Sequence, residues 1–194
     1  MTSERLKAFS DGVLAIIITI MVLDLKAPQG ASFAALRPLW PTFVAYVLSF
    51  VYVGIYWNNH HHLFVIVKKV NGGVLWANIH LLFWLSLLPF VTAWASDAHF
   101  ARDPVALYGA VLLGAAIAYS ILVMTLLRAQ DGRTLLHDAI GRDIKGWISI
   151  AAYVLGIAGA FVQPWIGCLF YVAVAAMWLV PDRRIESRMN ELRG

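Results

Sequence analysis

Two groups of polar side chains interrupt long apolar runs, and they are the residues best placed to do chemistry. The first is Arg5-Leu-Lys-Ala-Phe9-Ser10-Asp11, which leads through Gly12 into the apolar segment holding Ile16, Thr19, Ile20 and Leu23. A carboxylate at the depth of Asp11 is costly in hydrocarbon unless paired or hydrogen-bonded. Partners are expected among Ser10, Arg5, or polar groups of other segments such as His60, His61 and Asn78. The second group is Asn58-Asn59-His60-His61-His62. Imidazoles bind zinc and other transition metals, but neighbours on a helix point about 100° apart and cannot all converge on one ion. No metal site is expected here. His80 stands alone in a third apolar run, as a hydrogen-bonded core residue or a candidate pH sensor.

Covalent chemistry finds little support. The chain has no G-x-S-x-G and no H-E-x-x-H. Apart from the histidine run, no nucleophiles or carboxylates gather at one depth. We expect no enzyme activity and no cofactor. The only cysteine, Cys168, lies in the last apolar run, so an intrachain disulfide is impossible.

The elements that carry these residues are membrane spans. Apolar residues make up 61% of the 194 and charged residues 13%, about half the charge usual in a soluble domain. Six apolar stretches stand out: Phe9–Leu25, Thr42–Leu63, Val74–Ala95, Pro104–Leu127, Trp147–Val162 and Trp165–Val180. Most approach the roughly 20 residues needed to cross the hydrocarbon. The fold class is therefore all-α, a polytopic membrane protein of six transmembrane helices forming one domain over residues 1–194. Asp11 and the Asp24-Leu25-Lys26 sequence, without a small-residue cleavage site, argue that the first stretch is retained and is no signal peptide. Arg128–Lys145 is the longest polar stretch, a loop with room for a short surface helix.

Lys and Arg set the orientation. With a cytoplasmic N-terminus, Arg5, Lys7, Lys68, Lys69, Arg128, Arg133, Arg142, Lys145, Arg183, Arg184, Arg188 and Arg193 are all cytoplasmic, leaving Lys26, Arg37 and Arg102 outside. Both termini then face the cytoplasm across a cell (inner or plasma) membrane. Basic loops against anionic lipid account for the net charge of +4, and no nucleic-acid partner is expected.

On a helical wheel Ile16, Thr19, Ile20 and Leu23 fall within an arc of roughly 100°, continued by Gly12 and Phe9, whereas Asp11 points about 140° away from Ile16. An apolar stripe in a span is ordinarily a lipid-facing or packing surface. The surrounding residues give it another meaning. Arg5, Phe9, Ser10 and Asp11 form an R-x-x-x-F-S-D signature, joined by Trp57-Asn-Asn-His60-His61 with Phe64, and by Asn78 followed by Pro89. In these motifs residues 5–90 resemble the TMEM175 family of potassium channels, in its prokaryotic single-repeat form of six helices.

That resemblance implies a homotetramer whose first helices line a central cation pore, with potassium ions as the permeant species. It assigns Ile16, Thr19, Ile20 and Leu23 to successive pore rings, and Arg5, Phe9, Ser10, Asp11, His60, His61 and Asn78 to a structural network. The chain has no T-V-G-Y-G filter sequence, so discrimination would rest on side-chain rings and a hydrophobic constriction. Thr19 also admits a local role, its hydroxyl bonded to a carbonyl of the preceding turn. The alternative function is a small secondary transporter, against which stands the absence of paired repeats with broken helices. Gly109, Gly114, Gly156, Gly159 and Gly167 are expected to offer small faces for close helix packing.

Overall fold

The computed structural model describes residues 3–67, 70–129 and 144–179. The chain runs through α1 (Ser3–Leu23), a short 3-10 helix (Phe33–Leu39), α2 (Trp40–Ile66), α3 (Gly72–Ser86), α4 (Leu88–Asp97), α5 (Arg102–Ala129), α6 (Ile144–Val162) and α7 (Pro164–Leu179). Helices α3 and α4 are two halves of one span, so the described residues form six membrane crossings. Five of the crossings are long and apolar enough to span a membrane by themselves. The sixth, α7, has 16 residues, about 24 Å at 1.5 Å per residue, a little short of the hydrocarbon thickness. The protein is thus an all-α, multi-pass membrane protein. Most of the Arg128–Lys145 loop, Lys68-Lys69 and the C-terminal basic tail lie outside the described residues.

Local sequence explains where the helices begin and break. Asn71 caps α3, its side-chain oxygen accepting from the Val74 amide at 3.0 Å, which satisfies one of the orphan donors of a helix start. Proline stands in the first turn of α2 at Pro41 and begins α7 at Pro164, positions where its missing N–H costs nothing. The third crossing, read from hydropathy as continuous, breaks at Leu87, which ends α3 and precedes α4. Pro89 causes the break: it has no N–H to give the carbonyl four residues earlier, and its ring crowds that carbonyl.

Helix α5 lies at the centre. It packs against α3 and α4 on one side and against the α6–α7 pair on the other, while α1 rests on α2, α3 and α4. Close approach depends on glycine. A β-carbon at Gly114 would overlap the Trp84 indole, and one at Gly109 would overlap the Tyr171 side chain. Polar groups inside the bundle bond to one another, as they must where no water competes. Ser49 Oγ lies 2.6 Å from Thr92 Oγ1 and 2.9 Å from the Tyr108 hydroxyl, tying α2 to α4 and α5. The Tyr52 hydroxyl donates to the Tyr171 carbonyl at 2.6 Å, tying α2 to α7.

The glycine notch gives a direct test. Gly114→Ala should destabilise the protein by about 1–3 kcal/mol through overpacking. Gly54→Ala, where an added β-carbon meets nothing within 4 Å, should be neutral or slightly stabilising. Thermal unfolding of the purified protein in detergent checks both.

Candidate ion pathway

Helix α1 has two faces of different character. Leu6, Ser10, Leu14, Ile17 and Met21 are buried against the rest of the subunit. The opposite side carries Phe9, Gly12, Ile16, Thr19, Ile20 and Leu23, all exposed. Ile16 is 59%, Ile20 47% and Leu23 75% exposed. The predicted stripe is therefore one continuous surface that no described residue of its own subunit covers. Thr19 donates its hydroxyl proton to the Ala15 carbonyl, the local bond open to any helical threonine. That bond uses the only proton, so the oxygen keeps acceptor capacity.

What fixes the rotation of α1 is a buried chain of hydrogen bonds. Ser10 Oγ donates to the Leu6 carbonyl at 2.9 Å and accepts from Asn78 Nδ2 at 3.0 Å. Asn78 Oδ1 lies 2.8 Å from His60 Nε2. Because an amide oxygen only accepts, Nε2 carries the proton and the imidazole is assigned its Nε2–H tautomer. Ser10, Asn78 and His60 are all buried, and they join α1, α3 and α2 at a single point. The His60 ring also lies 4.6 Å from the Phe64 ring, centroid to centroid.

Asp11 takes a partner that the sequence reading did not name. Its Oδ1 accepts from the Trp57 indole N–H at 3.0 Å, in place of a bond to Ser10, Arg5, His60, His61 or Asn78. The expectation of a hydrogen-bonded carboxylate is met, with a different donor. Asp11 and Trp57 are both exposed on the subunit surface, so this second α1–α2 tie flanks the buried one. Trp57 opens the Trp57-Asn-Asn-His60-His61 motif and sits one helical turn before His60, which is the signal that could have found it. Arg5 and Phe9 are exposed. His61 is also exposed and its ring lies 6.0 Å from that of Trp57.

The histidine run diverges as helical geometry requires: His60 turns inward to Asn78 while His61 turns outward beside Trp57. Among the described residues no three His, Cys, Asp or Glu side chains gather in a metal-binding group. His80 is part-buried, and its Nε2 accepts from the Trp84 indole at 3.0 Å.

Comparison with known proteins places this arrangement. The family model described as endosomal/lysosomal potassium channel TMEM175 matches residues 5–89, the stretch that holds α1 and the whole hydrogen-bonded chain. A protein from a Chryseobacterium species, named a potassium channel, is 59% identical over 98% of this chain and its own full length. The chain belongs to the TMEM175 family. A second relative, from Streptomyces collinus and also named a potassium channel, is 34% identical over 83% of this chain and 84% of its own. The crystal structure of a lysosomal potassium-selective channel TMEM175 homolog from Chamaesiphon minutus superposes with a TM-score of 0.77 at 26% identity, covering 92% of this chain and 96% of that one. Likeness therefore extends through α5, α6 and α7, beyond the residues that carry the motifs.

Replacing the central amide should expose how the network holds α1. Asn78→Ala leaves His60 Nε2–H without its acceptor and Ser10 with only its bond to the Leu6 carbonyl, and should cost about 1–3 kcal/mol. Adding Ser10→Ala to that variant should cost less than the single substitution costs in the parent, because the shared partner is already gone. Equilibrium unfolding in mixed micelles measures both differences.

Proposed function

We infer that this protein is a potassium-permeable channel of the leak type, conducting passively through a constriction formed by α1. The observation that carries the reading is the two-faced first helix. Its inner face is locked to α2 and α3 by Ser10, Asn78 and His60, which leaves Ile16, Thr19, Ile20 and Leu23 as an uncovered stripe. In a homotetramer with α1 nearest the axis, these positions become four stacked rings. The six crossings, and relatives that bear the name potassium channel, support this reading over the secondary transporter.

The rings divide the work of permeation. Four isoleucines at Ile16 narrow the water column and penalise a hydrated ion, a dewetting barrier. Ile20 and Leu23 extend that apolar neck. Thr19 interrupts it with oxygens whose protons are already given to Ala15, so their lone pairs are available to a partly dehydrated cation. Potassium sheds its water more readily than sodium and crosses such a barrier at lower cost. Asp11 lies on another side of the helix, held by Trp57, and acts in positioning α1 with no direct contact to the ion. The role of His61 and Arg5 is likewise structural.

The protein works in a cell membrane with both termini cytoplasmic, following the charge asymmetry of the sequence. Cysteine placed at Lys68 should resist impermeant thiol reagents added to intact cells and react after permeabilisation. Labelling from outside would reverse the topology.

Reversal potentials in mixed potassium and sodium solutions test the rings. Ile16→Asn should wet the neck, raising conductance while lowering potassium preference. Thr19→Val keeps the width and removes the oxygens, so it should lower the potassium-to-sodium permeability ratio without raising conductance. Parental values in both variants would remove α1 from the pathway.

A further inference from the structure

On the side of the subunit away from α1, a cavity lies among α2, α5, α6 and α7. It is lined by the side chains of Tyr52, Tyr56, Asn59, Ser120 and Tyr153 among others, and offers about 30 Å³ to water. We propose that this cavity is a built hydration site, a blind pocket holding about two ordered waters inside each subunit, apart from the ion pathway.

Size sets the class of ligand. A water needs roughly 10–15 Å³ of such space, whereas a cavity that takes benzene measures about 150 Å³. The pocket is far too small for an organic guest and large enough for a pair of waters. Its lining supplies complementary partners. Tyr56, 8% exposed, brings to this lining a hydroxyl that can both donate and accept. Ser120 Oγ donates to the Ala116 carbonyl and Asn59 Nδ2 to the Ile55 carbonyl. The Ser120 proton and one of the two Asn59 amide protons are spent within their own helices, while the Ser120 hydroxyl oxygen and the Asn59 carbonyl oxygen keep lone pairs to accept with. A water that accepts from Tyr56 and donates to these acceptors joins α2 to α5, where both helices meet α6.

Among the described residues the hydroxyl chain on the α7 side of the pocket ends on backbone carbonyls. Tyr52, on its wall, donates its proton to the Tyr171 backbone carbonyl at 2.6 Å, and Tyr171 donates in turn to the Val105 carbonyl at 3.2 Å. Both bonds terminate on carbonyls, which have no proton to pass on. The hydroxyls therefore do not continue as a second transmembrane path.

Radiolytic hydroxyl-radical labelling with mass spectrometry tests the proposal on the intact parent protein in nanodiscs, since radicals born from a bound water mark its immediate neighbours. Tyr153 and Tyr171 are matched controls, at 2% and 1% exposure, and only Tyr153 lines the cavity. Tyr153 and Tyr56 should label about tenfold faster than Tyr171 if ordered water occupies the pocket. Equal rates at all three would overturn the proposal. In Tyr56→Phe, labelling at Tyr153 should fall while potassium and proton fluxes stay at parental levels. Undiminished labelling would deny Tyr56 its role in holding the water, and a changed proton flux would overturn the blind-pocket assignment. Ser120→Ala serves the same comparison if Tyr56→Phe does not fold. None of these outcomes depends on which helix lines the pore.

Discussion

One buried carboxamide holds the account together. Asn78 donates to Ser10 on α1 and accepts from His60 on α2, at 3.0 and 2.8 Å, from its own place on α3. In hydrocarbon the alternative to these bonds is an unsatisfied polar group, so the three helices meet in one rotational setting. Turning α1 by a single residue, about 100°, would break the chain at Ser10 and swing Ile16 out of the stripe. The selectivity of a pore made of side-chain rings depends on that rotation, because the rings exist only if the same residues face the axis in every subunit. The Asp11–Trp57 bond adds a second tie between α1 and α2 at the neighbouring position, and two ties fix an angle better than one.

The rest of the bundle supports this corner. Helix α5 carries α3 and α4 on one flank and α6 and α7 on the other, and glycine at 114 lets the Trp84 indole sit against its backbone. The bond from Trp84 to His80 within α3 fixes the indole, and its seat against Gly114 holds in rotation the helix that presents Asn78. Hydroxyl contacts from Ser49 to Thr92 and Tyr108 do the same for α2. The break at Leu87 allows α3 and α4 to lie differently along the bundle, α3 meeting α1 and α5 while α4 also reaches α2.

Much of this was legible in the sequence, for reasons of range. Hydropathy and the 100° helical step are local properties, so the six crossings and the shared face of Ile16, Thr19, Ile20 and Leu23 followed from residue order alone. The network members Ser10, His60 and Asn78 were legible as polar residues that hydrocarbon would force into partnership. The choice of partner was not legible. Whether Asp11 meets Trp57 or His61 depends on how α1 and α2 cross, which is set by contacts far apart in sequence. The break in the third crossing was not read from the sequence although the stretch holds Pro89, because whether proline kinks a helix or divides it depends on what neighbouring helices offer the freed carbonyl. The cavity beside Tyr56 had no sequence signal, since it is a gap left by four helices that only Asn59 of the histidine run joins to a motif.

We propose that the face of α1 turned away from Asn78 lines the ion path. Cysteine accessibility along this helix tests it most directly, in a background where Cys168, the one native cysteine, is replaced by serine. A small cationic thiol reagent should reduce potassium current through Ile16→Cys, Ile20→Cys and Leu23→Cys channels. It should leave Leu14→Cys, Ile17→Cys and Met21→Cys unaffected, since their parent residues are buried against α2, α3 and α4. Block at the second set, or at neither, would contradict the account.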